Sequence, residues 1–329
     1  MNEPFFSIII PARNAENIIV RCLESLKKLN YPKEKYEIVI ADSNSTDKTA
    51  EIAKSRGVIV VPNKGGTVCS GRNFGFKISR GDFIAFSDAD CVMDKDWIKN
   101  SIKYFRDSSV GGVGGPNITP DDETAFGKAV GFVFNQAIFS AGSIHGRILN
   151  KIREVKSIPG CNMIFKREAL QKVMPMDETL IEAEDYIMNQ KIRELGYKLL
   201  YTPDTIVWHY RRPSPKKFLK QMHRYALGRL LIGKRDRKMI NLTHIIAGLS
   251  LPMLLLIFIF LAILNLKLLA YLILGVAVFL IIYFFLALFK FKTFMSAIFV
   301  PYAIILLTMG WSTGFLRELF FPAKGKNKS

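Results

Sequence analysis

The chain has 329 residues, enough for one sizeable enzymatic domain and a membrane segment, and its 46 Lys and Arg against 28 Asp and Glu give a formal net charge of +18. Such an excess suits nucleic acid, anionic lipid or phosphorylated substrates, and its placement excludes nucleic acid as the partner. Between Arg211 and Lys238 lie eleven basic residues and one acid, Asp236, directly before an apolar tail whose only carboxylate side chain is Glu318, a pattern expected beside a bilayer.

The start, MNEPFFSIII, carries Glu3 and no basic stretch, so it reads as a first strand rather than a signal peptide. Short β-rich runs at 5–10, 37–41, 58–61 and 82–86 alternate with helical patterns near 14–29, 46–56 and 68–79. Continuous apolar strands separated by helices predict a parallel sheet covered on both faces. Ligands of such sheets bind at the carboxyl ends of the strands. Polar residues fall there: Arg13 and Asn14 after the first strand, Asp42 after the second, Asp88 and Asp90 after the fourth. Two carboxylates at i and i+2 beyond a strand end can reach one divalent ion, and Mg²⁺ or Mn²⁺ shares its oxygen ligands with phosphate. An isolated Asp-x-Asp is more often a solvated turn; the strand before it raises this one. Ser45 and Asp47 read as helix-capping residues.

No motif is legible between 110 and 160, where Phe126, Phe132, Phe134 and Phe139 suggest an apolar helix. Glu182, Glu184 and Asp185 open a helix that Gly196 ends; Asp185 reads either as an acid favoured by the helix dipole or as a general base. His209 follows a strand, and a lone histidine there is more often structural than a ligand. Cys22, Cys69, Cys91 and Cys161 lack paired metal-ligand spacing and read as reduced thiols. The expected layout is a catalytic domain at 1–210, a basic amphipathic interfacial segment at 211–240, a membrane region at 241–316 and a basic tail at 317–329. Three apolar runs, 244–264, 268–289 and 294–316, each approach the roughly 20 residues needed to cross a bilayer. The basic run before the first predicts a multi-pass cell-membrane protein with a cytoplasmic catalytic domain. Lys290 and Lys292 agree with that orientation. Arg317, Lys324, Lys326 and Lys328 disagree if the third run crosses; Pro301, Gly310 and Gly314 leave a broken or re-entrant path open.

Four segments in order, Ser7-Ile8-Ile9-Ile10-Pro11-Ala12-Arg13-Asn14, Asp42 to Thr49, Gly71-Arg72-Asn73-Phe74-Gly75 and Asp88-Ala89-Asp90, resemble the nucleotide-binding half of family 2 glycosyltransferases of the GT-A fold. The family commonly has two acids where this chain has Asp42-Ser43. Pro159-Gly160-Cys161-Asn162-Met163 resembles its acceptor-side strand entry, and Glu184-Asp185 its catalytic acids. Gln221-Met222-His223-Arg224-Tyr225 is similar to the Gln-x-x-Arg-Trp motif of membrane polysaccharide synthases, with Tyr for Trp; the alternative is an interfacial helix whose cations meet lipid phosphates. The resemblance implies an α/β GT-A domain, a Rossmann-like mixed and mostly parallel sheet with flanking helices, followed by membrane helices. It implies an inverting transfer from a nucleotide-diphospho sugar, commonly a UDP-sugar, to a lipid-linked acceptor of the polyprenyl type. In that scheme Pro11, Arg13, Asn14, Asp42, Arg72, Asp88 and Asp90 bind the donor. Asp90, Asp88 and His209 hold Mg²⁺ or Mn²⁺, and Asp185 is the base with Glu184 in support. Gly160, Asn162, Gln221, Arg224 and Tyr225 line the diphosphate and acceptor site. A polyprenyl-phosphate sugar synthase, a processive synthase and a membrane-tethered nucleotide-sugar binder are the alternatives.

Overall fold

The strand runs near the N-terminus build one half of the larger sheet. The structure is a computed structural model and describes residues 3–140, 143–180 and 182–322. Its strands are β1 (Phe6–Ala12), β2 (Tyr36–Asp42), β3 (Ile59–Pro62), β4 (Phe83–Phe86), β5 (Cys91–Met93), β6 (Val110–Gly114), β7 (Asn117–Ile118), β8 (Arg153–Glu154), β9 (Met163–Lys166), β10 (Lys198–Tyr201) and β11 (Val207–His209). The α-helices are α1 (Ile19–Lys27), α2 (Thr49–Ser55), α3 (Val68–Ile78), α4 (Trp97–Ile102), α5 (Ala125–Asn135), α6 (Arg167–Leu170), α7 (Glu184–Glu194), α8 (Pro215–Arg235), α9 (Leu242–Leu264), α10 (Leu266–Phe291) and α11 (Phe294–Phe320).

Among the described residues one sheet has the order β3-β2-β1-β4-β9-β6-β10-β8, and a second has the order β5-β11-β7. β1 pairs in parallel with β2 and β4 (Ile9 opposite Val39 and Phe86), while β9 enters antiparallel between β4 and β6. The period-two geometry of a strand explains the apolar run of β1. Phe6, Ile8 and Ile10 pack on one face with Ile19, Leu23 and Leu26; Ile9 turns to the other with Val39, Ile84 and Phe86. Each fully buried Ile contributes about 1.5–3 kcal/mol relative to exposure. Gly75 of α3 has no Cβ because Ile9 occupies that space.

The first helix begins at Ile19, later than the pattern near 14–29 suggested. Asn14 sits at φ 48°, and its backbone N–H and side chain are engaged by Ser45 and Thr46. That left-handed residue and its cross-loop bonds close off a helical start there.

The chain divides into two units, Met1–Pro120 with Ser143–Tyr210, and Asp121–Gly142 with Arg211–Ser329. The first contains both sheets. In the second, Phe126, Phe132 and Phe134 of α5 pack with Phe218 and Met222 of α8 and with Ala287, Ala297 and Val300 of α10 and α11. The three apolar runs of the tail form α9, α10 and α11, each long and apolar enough to cross a membrane. α11 is one continuous helix of 27 residues through Pro301, Gly310 and Gly314, with no break at the glycines. The four cysteines are buried and unbridged.

Candidate active site

The loops after β1 and β2 are stitched together at their strand ends. The Ser43 N–H donates to the Ala12 carbonyl at 2.8 Å, and the Thr46 N–H donates to Asn14 Oδ1 at 2.8 Å. Asn14 therefore shapes the loop through its own side chain, while Arg13 beside it is exposed. Asp42 closes β2. Its Oδ2 accepts from the Ser45 N–H at 3.2 Å, and its Oδ1 is buried without any hydrogen-bond partner. A buried acceptor left unmade is costly, so Oδ1 marks a place where a donor group from a ligand is expected. Ser43 accepts from Asn63 Nδ2 at 2.7 Å, and Asn63 Oδ1 accepts from Ser70 at 2.6 Å. Thr67 caps α3 reciprocally with Ser70. A Cβ at Gly71 would meet Asn63 Nδ2 at 3.0 Å and Pro11 Cβ at 3.1 Å, so glycine lets α3 settle against the strand ends.

Beyond β4 the chain turns tightly into β5, which leaves Asp88 and Asp90 in the turn. β11 pairs antiparallel with β5, His209 opposite Cys91. The pairing carries His209 Nε2 to 3.3 Å from Asp90 Oδ1, and the Tyr210 N–H donates to the Asp90 carbonyl at 3.0 Å. One ligand atom each from Asp88, Asp90 and His209 lies within 4.8 Å of the others. Two carboxylates and an imidazole are a fitting donor set for Mg²⁺ or Mn²⁺. Burial raises the Asp88 carboxyl; the Arg72 guanidinium opposes that rise and Asp90 adds to it. Burial pulls the His209 imidazole down, but Asp90 and Cys161 more than offset this, and its pKa is raised. Like charges held this close are relieved by a bound cation.

Arg72 links this centre to the second acidic motif. Its side chain, 2 % exposed, donates from Nη1 to Glu184 Oε1 at 3.1 Å and from Nη2 to the Gly160 carbonyl at 3.1 Å, with Asp88 Oδ1 at 3.5 Å. Its Nε is buried and unpartnered. Ala183, at φ 60°, sets the start of α7 and brings Glu184 and Asp185 into the site. Asp185 Oδ2 accepts from the Gly160 N–H at 2.9 Å and Oδ1 from the Tyr186 N–H at 2.7 Å. A Cβ at Gly160 would stand 3.0 Å from Asp185 Oδ2 and 3.2 Å from Arg72 Nη2, so any side chain there would push against both groups. Burial and the neighbouring Asp185 push Glu184 up to about 7, against the pull of Arg72.

These contacts join Arg72, Asp88, Asp90, Gly160, Glu184, Asp185 and His209, while Asp42 stands at the end of β2 in the same sheet. Asn162 is different. Its Oδ1 accepts from Trp97 Nε1 at 2.8 Å and its Nδ2 donates to the Thr205 and Pro116 carbonyls, so the amide is spent on holding loops. Gln221, Arg224 and Tyr225 lie on α8 in the second unit, where Gln221 Nε2 donates to Tyr225 Oη at 3.0 Å. Two features had no sequence signal. Cys91 and Cys161 meet at His209 only because β9, β5 and β11 converge. The Arg72–Glu184 pair joins α3 to α7, which pack into the same face of the sheet but are far apart in the chain.

The family model of glycosyl transferase family 2 matches residues 7–174. The chain is 28% identical over 243 residues to glycosyltransferase AglE of Haloferax volcanii, covering 71% of this chain and 76% of that protein. It is 29% identical over 244 residues to a Methanococcus voltae dolichyl N-acetyl-α-D-glucosaminyl phosphate 3-β-D-2,3-diacetamido-2,3-dideoxy-β-D-glucuronosyltransferase, covering 69% and 74%. Among solved structures it resembles the mannosyltransferase PcManGT of Pyrobaculum calidifontis, solved with GDP-Man and Mn²⁺, with a TM-score of 0.67, 19% identity and coverage of 97% and 88%.

Proposed function

Because the chain belongs to glycosyl transferase family 2, with a GT-A domain and the activity of a glycosyltransferase, we propose that it is an inverting, metal-dependent enzyme that transfers a sugar from a nucleotide-diphospho sugar, a UDP-sugar first among those to test, to a hydroxyl of a polyprenyl-linked acceptor. The observation that carries this reading is the convergence of Asp88 and Glu184, each beside a second acid, on one buried arginine, Arg72. A nucleotide binder without turnover has no use for the second pair.

Asp42 Oδ1, with Arg13 and Asn14 at the neighbouring loop, takes up the nucleoside end of the donor. Asp90, Asp88 and His209 would hold a divalent ion, Mg²⁺ or Mn²⁺, whose charge would offset that of the diphosphate leaving group. Asp185 accepts the proton of the acceptor hydroxyl. The acceptor oxygen bonds to the anomeric carbon as the bond to the diphosphate breaks on the opposite face, which inverts the centre. Arg72 holds Glu184 and the Gly160 carbonyl in place, and so fixes Asp185 through the Gly160 N–H. On α8, Gln221-x-x-Arg224-Tyr225 acts as a variant of the synthase motif, with Arg224 stabilising the departing diphosphate. The catalytic unit faces the cytoplasm of a membrane-anchored protein.

The named acceptor of the Methanococcus relative is a sugar on dolichyl phosphate, which favours a hydroxyl over a bare phosphate. Purified protein is assayed with a nucleotide-sugar panel, Mg²⁺ or Mn²⁺, and polyprenyl-linked acceptors. Turnover is expected, and Asp185→Asn is expected to lower it by about 10²–10⁴-fold. Near-full activity of Asp185→Asn on a polyprenyl phosphate instead makes the protein a polyprenyl-phosphate sugar synthase. No turnover or hydrolysis of any donor removes the enzymatic reading.

A further inference from the structure

α9 and α10 are joined through the single residue Asn265, which caps α10 by accepting from the Lys267 and Leu268 N–H groups. α11 then touches both helices far from that junction. At its start, the rings of Phe294 and Phe284 of α10 lie 5.7 Å apart. Towards its end, Trp311 Nε1 donates to the His244 carbonyl of α9 at 3.3 Å, and Ser312 Oγ donates to the Ala247 carbonyl at 3.3 Å. Phe315 fills the space that a side chain at Gly248 would need.

Helices are stiff rods with about 1.5 Å of rise per residue. By that rise, His244 lies about 30 Å along α9 from the junction, and Phe284 about 27 Å along α10. Phe294 and Trp311 are about 26 Å apart along α11. The three helices therefore close a triangle with nearly equal sides. Had α11 run up beside α10 towards the junction, Trp311 would meet the last turn of α9; it meets the first instead. Two sides of such a triangle can cross a bilayer within the ordinary range of helix tilts, and the third then lies close to the membrane plane.

The flat side is identified by its surroundings. In α11, 39 % of the apolar stretch is buried, against 6 % in α9 and in α10, which expose large apolar side chains along most of their length. What covers α11 is α8. Gly314 gives its side-chain space to the His223 carbonyl of α8, and a Cβ at Gly310 would stand 2.6 Å from Met222 Cβ. Further on, Lys234 Nζ of α8 pairs with the buried Glu318 Oε1 at 2.8 Å. α8 carries Lys216, Lys217, Lys220, Arg224, Arg229, Lys234 and Arg235. An α11 that crossed the bilayer would drag these cations into hydrocarbon, where each is strongly disfavoured. Basic residues also stand at both ends of the flat side: Lys290 and Lys292 at one, Arg237 and Lys238 at the other.

We infer that α11 is not a third span but an in-plane helix at the membrane–water interface, so that the chain crosses the bilayer twice and the end of α11 stays on the side of α8. This orientation brings Arg317 onto the same side as the other cations, where anionic headgroups favour it; Lys324, Lys326 and Lys328 lie outside the described residues. The inference rests on the membrane reading above and not on the sugar chemistry.

The test uses the full chain in liposomes, with a fluorophore on single introduced cysteines and nitroxide lipids that quench at graded depths. The native cysteines are buried, and unlabelled wild type controls for them. The α11 positions Tyr302→Cys, Ile305→Cys and Met309→Cys are expected to report one shallow depth. The α10 positions Leu274→Cys, Val278→Cys and Ile281→Cys are expected to differ by several Å from one to the next. A depth series in α11 that passes through the bilayer centre overturns the inference. In sealed vesicles a membrane-impermeant maleimide is expected to label Lys292→Cys and Phe321→Cys from one side and Asn265→Cys from the other. Phe321→Cys labelled together with Asn265→Cys also overturns it. A protein that fails to float with liposomes overturns the membrane reading as well, whereas deep α11 labels in a protein that floats overturn this inference alone.

Discussion

Arg72 is the residue on which the site turns. Its guanidinium touches Glu184, the Gly160 carbonyl and, at 3.5 Å, Asp88. Removing it by Arg72→Ala leaves Glu184 and Asp88 without their cation. Breaking a buried pair in this way costs about 3–5 kcal/mol, to be read as a lower melting temperature together with lost activity. Glu184 supplies a pH test. Its pKa rises from 4.5 in the unfolded chain to about 7 in the folded one. Its contribution to stability is therefore fully present below the unfolded value and is lost as pH rises through the folded value. In metal-free protein, the unfolding free energy of wild type relative to Glu184→Gln, read from denaturant midpoints, is expected to fall between pH 5 and pH 8 by an amount on the order of 1–3 kcal/mol. A difference that stays flat over that range rules out a raised Glu184. At the other centre, chelation is expected to abolish transfer, with recovery on adding Mn²⁺ or Mg²⁺; Asp90→Asn is expected to fall by at least about 10²-fold and not recover. Undiminished activity in chelator counts against metal use.

At the scale of elements, small residues decide how helices dock. Gly75 lets α3 rest on Ile9 of β1, and Gly160 leaves room for Asp185. Gly75→Ala forces a methyl into Ile9 and is expected to cost about 1–3 kcal/mol as an overpacked core position, measured by denaturant midpoint. Gly160→Ala is expected to leave the fold in place and to lower kcat, because the added methyl pushes against the Asp185 carboxylate and not against the core. Equal loss of stability in both variants argues against that division. The strands β1 to β4, the helix from Val68 and the acids after β4 were legible from apolar runs and helical periodicity; α2 begins at Thr49, three residues past the expected 46, with Lys48 and not Ser45 or Asp47 at its N-cap. Asn162 was read as lining the acceptor site; the fold engages its amide with Trp97, Thr205 and Pro116, partners that no local pattern announces.

For the whole molecule, α9 and α10 expose bare apolar surface along most of their length. Alkaline carbonate is therefore expected to leave the protein in the membrane fraction, since embedded helices are not released by removing charge attraction; release into the supernatant is the contrary result. The sequence by itself determined the four parallel strands β1 to β4, the order of the acidic motifs after them and the apolar tail, because those depend on residue type and short-range period; it did not announce β9 entering antiparallel between β4 and β6. Only the tertiary structure decided which of them meet. The Arg72 bridge between α3 and α7, the Cys91, Cys161 and His209 cluster and the crossing of α11 under α8 all join residues distant along the chain. Periodicity counts how apolar a helix is and how long; it does not encode which neighbour lies against which turn. That is why α11 reads as a span in the sequence and as a crossbar once His244, Phe284 and Met222 are seen against it.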